Sequence, residues 1–307
     1  MSDDQFCTLP SGIDICYRVD GEAGEPLLLI GGIGVDLVSW PDAFISALVD
    51  NGFRVIRFDN RDSGRSTTVA APAPHPLRLM TRRLRTVAYD LGDMATDAIG
   101  LLDHLGIERG HLAGMSMGGM IAQTMAARYP ARVLTLTSIF STTGHRRVGQ
   151  PALSTMLLLA RPPARTAEGR IEHTVALARR IASHGFPFDA EETRRRVVAS
   201  AARVGDEDAH ARLMRQIAAI VASGDRTSEL RNVLAPTAVI HGDRDLMVHP
   251  SGGVATKHAI TGARLHVIQG MGHDLERPVV ARIVDIMRRH ADGWPRLATD
   301  SNPGVPR

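Results

Sequence analysis

Gly110-His111-Leu112-Ala113-Gly114-Met115-Ser116-Met117-Gly118-Gly119-Met120-Ile121 reads as a short apolar strand that breaks at a serine and continues as a helix. Gly114, Ser116 and Gly118 match G-x-S-x-G, the pattern of a serine at the tip of a tight strand-to-helix turn. Such a turn strains the serine backbone and crowds its neighbours, so the flanking positions must lack side chains, hence Gly114 and Gly118. The helix behind the serine aims its first amides and its partial positive charge at any oxyanion formed there. Taken alone, the string also describes a glycine-rich helix start packed close to a sheet. The pattern on either side decides between the two.

Upstream, residues 26–30 form an apolar run that ends in Gly31-Gly32, and residues 53–58 form a second, followed by the polar turn 59–66. Helical spacing fills residues 40–51, and Leu91, Met94, Ala98, Leu101, Leu102 and Leu105 recur at three- and four-residue steps between 89 and 106. Downstream of the serine come a helix over 117–129, a strand over 133–140, strands over 237–241 and 264–268, and a last helix over about 275–290. Strands alternating with helices predict right-handed crossovers and an α/β fold, a doubly wound, mostly parallel sheet covered on both faces.

The alternation fails between about Ser141 and Arg231. Residues 145–231 keep a helical period without a convincing strand and are expected to form a helical lid inserted into a core of 1–144 and 232–293. Within it, Asp189 followed by Glu192 resembles a capping box opening a helix through Val204. Asp206 is expected to cap the next helix, whose apolar residues include Leu213, Met214, Ile217, Ile220 and Val221. Met156, Leu157, Leu158 and Leu159 are expected either to line a pocket or to bury against the other inserted helices. The Pro-, Gly- and Ser-containing tail 294–307 is expected to be flexible.

Composition excludes several classes. The chain has 307 residues, and 36 Lys+Arg against 33 Asp+Glu leaves a net charge of only +3. Lys257 is the sole lysine, and aromatics make up 4%, too few to accompany a nucleic-acid-binding face. The basic runs at Arg82, Arg83 and Arg85 and at Arg194–Arg196 are expected to be solvated helix faces. No apolar run approaches the length of a membrane span, and the acidic start lacks the features of a signal peptide. Cys7 and Cys16 are too few for a disulfide framework or a zinc site. Gly32-Ile33-Gly34 lacks the third glycine of a dinucleotide loop, no phosphate-binding loop occurs, and no metal spacing appears. The expectation is a cytoplasmic protein without cofactor, nucleic-acid partner or membrane association; oligomeric state has no signature here.

A serine of ordinary acidity needs a base held by an acid to act as a nucleophile. On a sheet of this kind the partners should follow in the order serine, acid, histidine, each just after a strand. His273 sits in the glycine-flanked stretch Gly270-Met271-Gly272-His273-Asp274. Gly242-Asp243-Arg244-Asp245 offers two acids: Asp243, directly after the strand, suits capping the turn or binding Arg244, whereas Asp245 can extend toward the histidine. Asp245 is the expected acid. Met117 and Ile33, the latter in Gly31-Gly32-Ile33-Gly34, are expected to supply the two amides of an oxyanion hole.

Together these pieces resemble the α/β-hydrolase superfamily, in particular its lidded esterase branch. The turn Arg57-Phe58-Asp59-Asn60-Arg61-Asp62-Ser63-Gly64-Arg65-Ser66-Thr67 is similar to that of bacterial methylesterases acting on aromatic polyketides such as anthracyclines. The resemblance implies a serine hydrolase acting on an ester, such as the methyl ester of a hydrophobic small molecule, with Ser116, Asp245 and His273 as its triad. Two positions depart from the pattern: Gly31-Gly32 stands where the family usually has His-Gly, and Asp62 where it commonly has glycine. The same triad would also serve perhydrolysis or C–C cleavage, and a non-catalytic receptor on this fold is a third reading. Serine at the turn disfavours the aspartate-nucleophile dehalogenases and epoxide hydrolases.

Overall fold

The computed structural model describes residues 3–81, 84, 86–159, 164, 166–203 and 208–293. Their elements, in chain order, are β1 (Gln5–Thr8), β2 (Asp14–Asp20), β3 (Glu25–Ile30), α1 (Asp42–Asp50), β4 (Phe53–Phe58), α2 (Pro76–Met80), α3 (Leu91–His104), β5 (Gly110–Met115), α4 (Met117–Arg128) and β6 (Val133–Ile139). Four helices follow, α5 (Leu153–Leu159), α6 (Ala167–Ile181), α7 (Ala190–Arg203) and α8 (Ala209–Ser223), and then β7 (Thr237–Gly242), α9 (Ser251–Ala259), β8 (Arg264–Ile268) and α10 (Arg277–Asp292).

The eight strands form one sheet in the order β1-β2-β4-β3-β5-β6-β7-β8, parallel from β4 to β8 and antiparallel at β1 and β2. Both faces are covered, so the central strands are apolar on both sides rather than alternating. Along β3, Leu28 and Ile30 join the core beneath α3 and α4, while Leu27 and Leu29 join the one beneath α1 and α10. Parallel strands carry all their C-terminal ends to one edge, where ligands of open α/β sheets bind.

The predicted α/β core is present, and its strands fall within a residue or two of their expected places. Three pieces have no counterpart in the sequence reading: the short helix α2, which opens on Pro76, the hairpin β1–β2, and helix α9. The hairpin β1–β2 extends the sheet beyond β4, anchored by a buried ion pair between Asp20 and Arg57 at 2.7 Å. Helix α9 crosses between β7 and β8, where its two adjacent glycines and polar residues obscure the helical period. Asp189 accepts the Glu192 N–H at 2.9 Å, as expected of a cap, but the Glu192 carboxylate pairs with Arg195 and Arg196 instead of closing the box. The residue before α8 is Asp208; Asp206 and Val204, like Arg82, Arg83, Arg85 and the tail 294–307, lie outside the described residues. The run Arg194–Arg196 is a solvated face, paired with Glu168, Glu172, Glu191 and Glu192.

Of the run 156–159 on α5, Met156, Leu157 and Leu159 are about half exposed or more and Leu158 is half-buried, so they do not bury against the other inserted helices as one of the two expectations had it; Thr155 is the enclosed residue of α5. On α8 the fully buried face is Arg212, Arg215, Gln216, Ala218 and Ala219, while Leu213, Met214, Ile217 and Ile220 are only half-buried. That inversion has a cause: α8 packs on a turn made of polar groups. Arg215 grips both oxygens of Asp62 at 2.8 and 2.7 Å, and Tyr89 donates to the same carboxylate at 2.7 Å. Arg212 donates to the carbonyls of Asp62 and Gly64. Arg203, at the end of α7, reaches Asp4, Asp36 and Asp59 at 3.0, 2.7 and 3.0 Å. Asp62 thus replaces a turn glycine because it has a partner in α8, and it holds φ at 61° to do so.

Removing one member of an enclosed ion pair strands the other without solvent. Arg215→Ala should therefore lower the unfolding free energy by about 3–5 kcal/mol in urea titrations. Arg195→Ala, on the solvated face of α7, should change it by no more than about 0.5 kcal/mol. Equal effects from the two would contradict the anchoring role of the Arg215–Asp62 pair.

Candidate active site

Ser116 stands between β5 and α4 with φ 54° and ψ −120°, a backbone conformation that only an enforced turn maintains. The enforcement is visible in its neighbours. A Cβ on Gly114 would lie 2.2 Å from the Gly118 carbonyl oxygen, and one on Gly118 would lie 1.9 Å from that of Ile30. Backbone bonds fix the serine from below: its N–H donates to the Ile139 carbonyl at 3.0 Å, and its own carbonyl accepts from Ser141 Oγ at 2.7 Å. The sequence reading did not single out Ser141; its position just past β6, beside the glycine-rich turn, was the available signal.

Asp245 and His273 are joined. His273 Nδ1 lies 2.8 Å from Asp245 Oδ2, and the imidazole packs on the Phe140 ring at a centroid separation of 4.4 Å. Phe140 follows Ile139, the residue bonded to Ser116, so histidine and serine flank the same end of β6. Among the described residues Ser116 Oγ makes no hydrogen bond, and such serine–base contacts are often loose until substrate tightens them. Asp245 Oδ1 accepts the N–H groups of Met247 and Val248, both at 2.8 Å, which anchors the acid loop. Burial opposes ionisation of Asp245, but the facing His273 and the hydrogen bonds from His241 and His273 outweigh it and hold the carboxyl well below its usual range.

A second histidine touches the acid. His241 Nε2 lies 2.8 Å from the Val248 carbonyl and 3.3 Å from Asp245 Oδ2. The sequence reading treated His241 only as the end of a strand; its four-residue spacing from Asp245 was the one available signal. Asp243 fulfils the structural role expected of it, accepting the Gly270 N–H at 2.6 Å and facing Arg244.

Ile33 lies in the loop after β3, one residue past Gly32, which borders the serine: a Cβ on Gly32 would stand 3.3 Å from Ser116 Cβ. Met117 is the first residue of α4, so its N–H has no intrahelical acceptor. The inserted helices meet the site at two further points. His273 N–H donates to the Ile181 carbonyl at 2.8 Å, and Asp274 accepts from Ser183 through both its N–H and its hydroxyl. Burial raises the Asp274 carboxyl, against these bonds. Over the other side of the serine, Leu213 Cδ1 is 3.2 Å from where a Cβ of Gly34 would stand.

A cavity of about 730 Å³ opens between the acid loop and the inserted helices, lined by His184, Arg244, Leu246, His249 and Gly270 among others. Asp245 lines it, and Ser116 and His273 do not. Among the described residues no group of His, Cys, Asp or Glu side chains is placed to hold a metal ion, and no helix is long and apolar enough to cross a membrane.

Comparison with known proteins places this geometry in context. The family model of the alpha/beta hydrolase fold matches residues 25–275. The chain is 32% identical over 274 residues to rhodomycin D methylesterase DnrP of Streptomyces peucetius, covering 82% of this chain and 86% of that one. It is 33% identical over 276 residues to rhodomycin D methylesterase DauP of Streptomyces sp. strain C5, with the same coverage. Among solved structures, an esterase from Rhodococcus sp. ECU1013 superposes with a TM-score of 0.73 at 23% identity, covering 96% of this chain and 100% of that one. At that identity the likeness speaks for the fold.

The depressed Asp245 carboxyl has a definite pH signature. Its stabilising contribution is complete above the ordinary value of 3.8 and is lost as pH falls below it toward the folded-state value. The stability gap between the wild type and Asp245→Asn, read from urea titrations at a series of pH values, should stay constant down to about pH 5 and narrow below about pH 4. A gap that widens on acidification would contradict the depressed carboxyl.

Proposed function

Because the chain belongs to the alpha/beta hydrolase fold family, we propose that it is a serine hydrolase of carboxylic esters with Ser116 as nucleophile, His273 as base and Asp245 as orienting acid. The observation that carries this reading is the 2.8 Å contact between Asp245 and His273, whose imidazole packs on Phe140, one residue after the Ile139 carbonyl that accepts the N–H of Ser116, itself held at φ 54°. With Asp245 accepting from Nδ1, the neutral imidazole keeps its proton there and leaves Nε2 free to take one. Ser116 Oγ then bonds to the ester carbon while its proton passes to Nε2. The carbonyl oxygen gains negative charge between the Ile33 and Met117 amides. Collapse of the tetrahedral intermediate breaks the C–O bond, and the leaving alcohol takes the proton back from His273. Water, deprotonated by the same imidazole, releases the acid and restores the serine.

The substrate we propose is the methyl ester of a hydrophobic, polycyclic small molecule. Two relatives matched over most of both chains are methylesterases of rhodomycin D, which supports this leaving group and this class of acid. The helices between β6 and β7, the proposed lid of residues 145–231, would cover the acyl part, with Leu213 nearest the oxyanion loop. Cys7 and Cys16, both free and buried, are consistent with the cytoplasmic setting we propose.

A fluorophosphonate should label wild type at Ser116 and leave Ser116→Ala unlabelled, and the variant should lose at least about 10⁴-fold in ester turnover. Its melting temperature should move by no more than about 2 °C, since only the hydroxyl is removed. Asp245→Asn should lower kcat by about 10³–10⁴-fold, and Asp243→Asn by less than about tenfold. Methanol released from an anthracycline-type methyl ester, measured against p-nitrophenyl acetate, checks the leaving group. Undiminished turnover by Ser116→Ala would discard the proposal.

A further inference from the structure

The loop of residues 31–34 contains Ile33, the proposed second oxyanion donor, and it carries Gly31-Gly32 where a histidine would ordinarily stiffen it. Two glycines in a row leave such a loop many conformations, and a donor helps only if its N–H is already aimed before the charge develops. The structure shows what restrains it. Asn60 Nδ2 donates to the Gly31 carbonyl at 3.1 Å. At the other end, the Gly34 N–H donates to Gln216 Oε1 at 2.8 Å.

Gln216 belongs to α8, in the inserted helices, and lies 182 residues from Gly34 along the chain. Its amide is completely enclosed and fully used: Nε2 donates to the Arg61 carbonyl at 3.0 Å and to Ser63 Oγ at 2.8 Å. Those acceptors belong to the turn after β4, which is itself fixed by the Arg61–Asp97 and Asp62–Arg215 pairs. The side chain is thus a strut between a rigid turn and a compliant loop. Gly34 holds φ at 67°, and Leu213, from the next turn of α8 toward its N-terminus, closes over it.

We infer that Gln216 is a positioning residue for the oxyanion hole: by holding the Gly34 N–H toward α8 it fixes the far end of the loop that presents the Ile33 N–H to the substrate oxygen. The inference rests on the proposed ester hydrolysis at Ser116. It makes the inserted helices part of the rate machinery, because a residue that never touches substrate sets how well the transition-state charge is met.

The test compares wild type with Gln216→Met, which keeps length and removes every hydrogen bond, and Gln216→Glu, which keeps an acceptor for the Gly34 N–H. With p-nitrophenyl acetate, Gln216→Met should lose about 10–100-fold in kcat, short of deleting a donor outright, while KM stays within about twofold. Its inhibition constant for a trifluoromethyl ketone, which forms an oxyanion on Ser116, should rise by a factor similar to the fall in kcat/KM. Gln216→Glu should recover part of both. Ser63→Ala, which removes only one of the strut's two footings, should show the same pattern at about threefold and serves if Gln216→Met does not fold. Unchanged kcat and inhibitor affinity in folded variants, with wild type active and labelled at Ser116, would overturn the role of Gln216 alone. A wild type neither labelled nor active would overturn the hydrolase reading beneath it.

Discussion

The arrangement depends on a contact between backbones. Helix α4 starts so close to β3 and β5 that its third layer of atoms is main chain, with room for hydrogen alone at Gly114 and Gly118. That proximity is what forces Ser116 to φ 54° and lifts it clear of the sheet edge. Packing of the apolar layers, from Leu27 through Ile30 and along α4, supplies the free energy that keeps the strained turn in place. The reactive geometry is therefore a by-product of core packing, and a methyl group at Gly118 would be felt first in the fold.

Much of this was legible because it is local. The strand that ends at Met115, the serine, and the glycines that flank it form one uninterrupted string, and the acid and the histidine each follow an apolar run of the right length. The two carboxylates after β7 have different partners: Asp243 accepts the Gly270 N–H, whereas Asp245, the expected acid, faces His273 Nδ1. The hairpin β1–β2 is hard to read since β1 has only four residues and β2 is edged by Asp14 and Asp20, and α9 since glycines dilute its period.

The inserted helices were legible only as helices. Their burial follows partners far away in the chain, which periodicity does not record. On α8 the sequence offers Leu213, Met214, Ile217 and Ile220 as apolar residues, yet the enclosed side chains include Arg212, Arg215 and Gln216. Arginine buries readily when its fork finds carboxylates and carbonyls already fixed in place, and the turn 59–66 provides both. The same turn explains why Asp62 is compatible with the fold: its charge is answered across the sheet edge by a helix more than a hundred residues later. Ser141 and Gln216 likewise bond to main-chain atoms far away in the chain, 25 and 182 residues off.

The polar seam between the inserted helices and the turn after β4 bears on modularity. A chimera that exchanged residues 145–231 for the equivalent segment of another hydrolase would carry away Arg203, Arg212, Arg215 and Gln216 and leave their acceptors behind. Asp59 and Asp62 would then be enclosed without the arginines that face them, and the loop bearing Ile33 would lose its bond to Gln216. Recombination respectful of this chain has to move Asp59 through Ser66 together with α7 and α8, so the unit that can be exchanged intact is discontinuous.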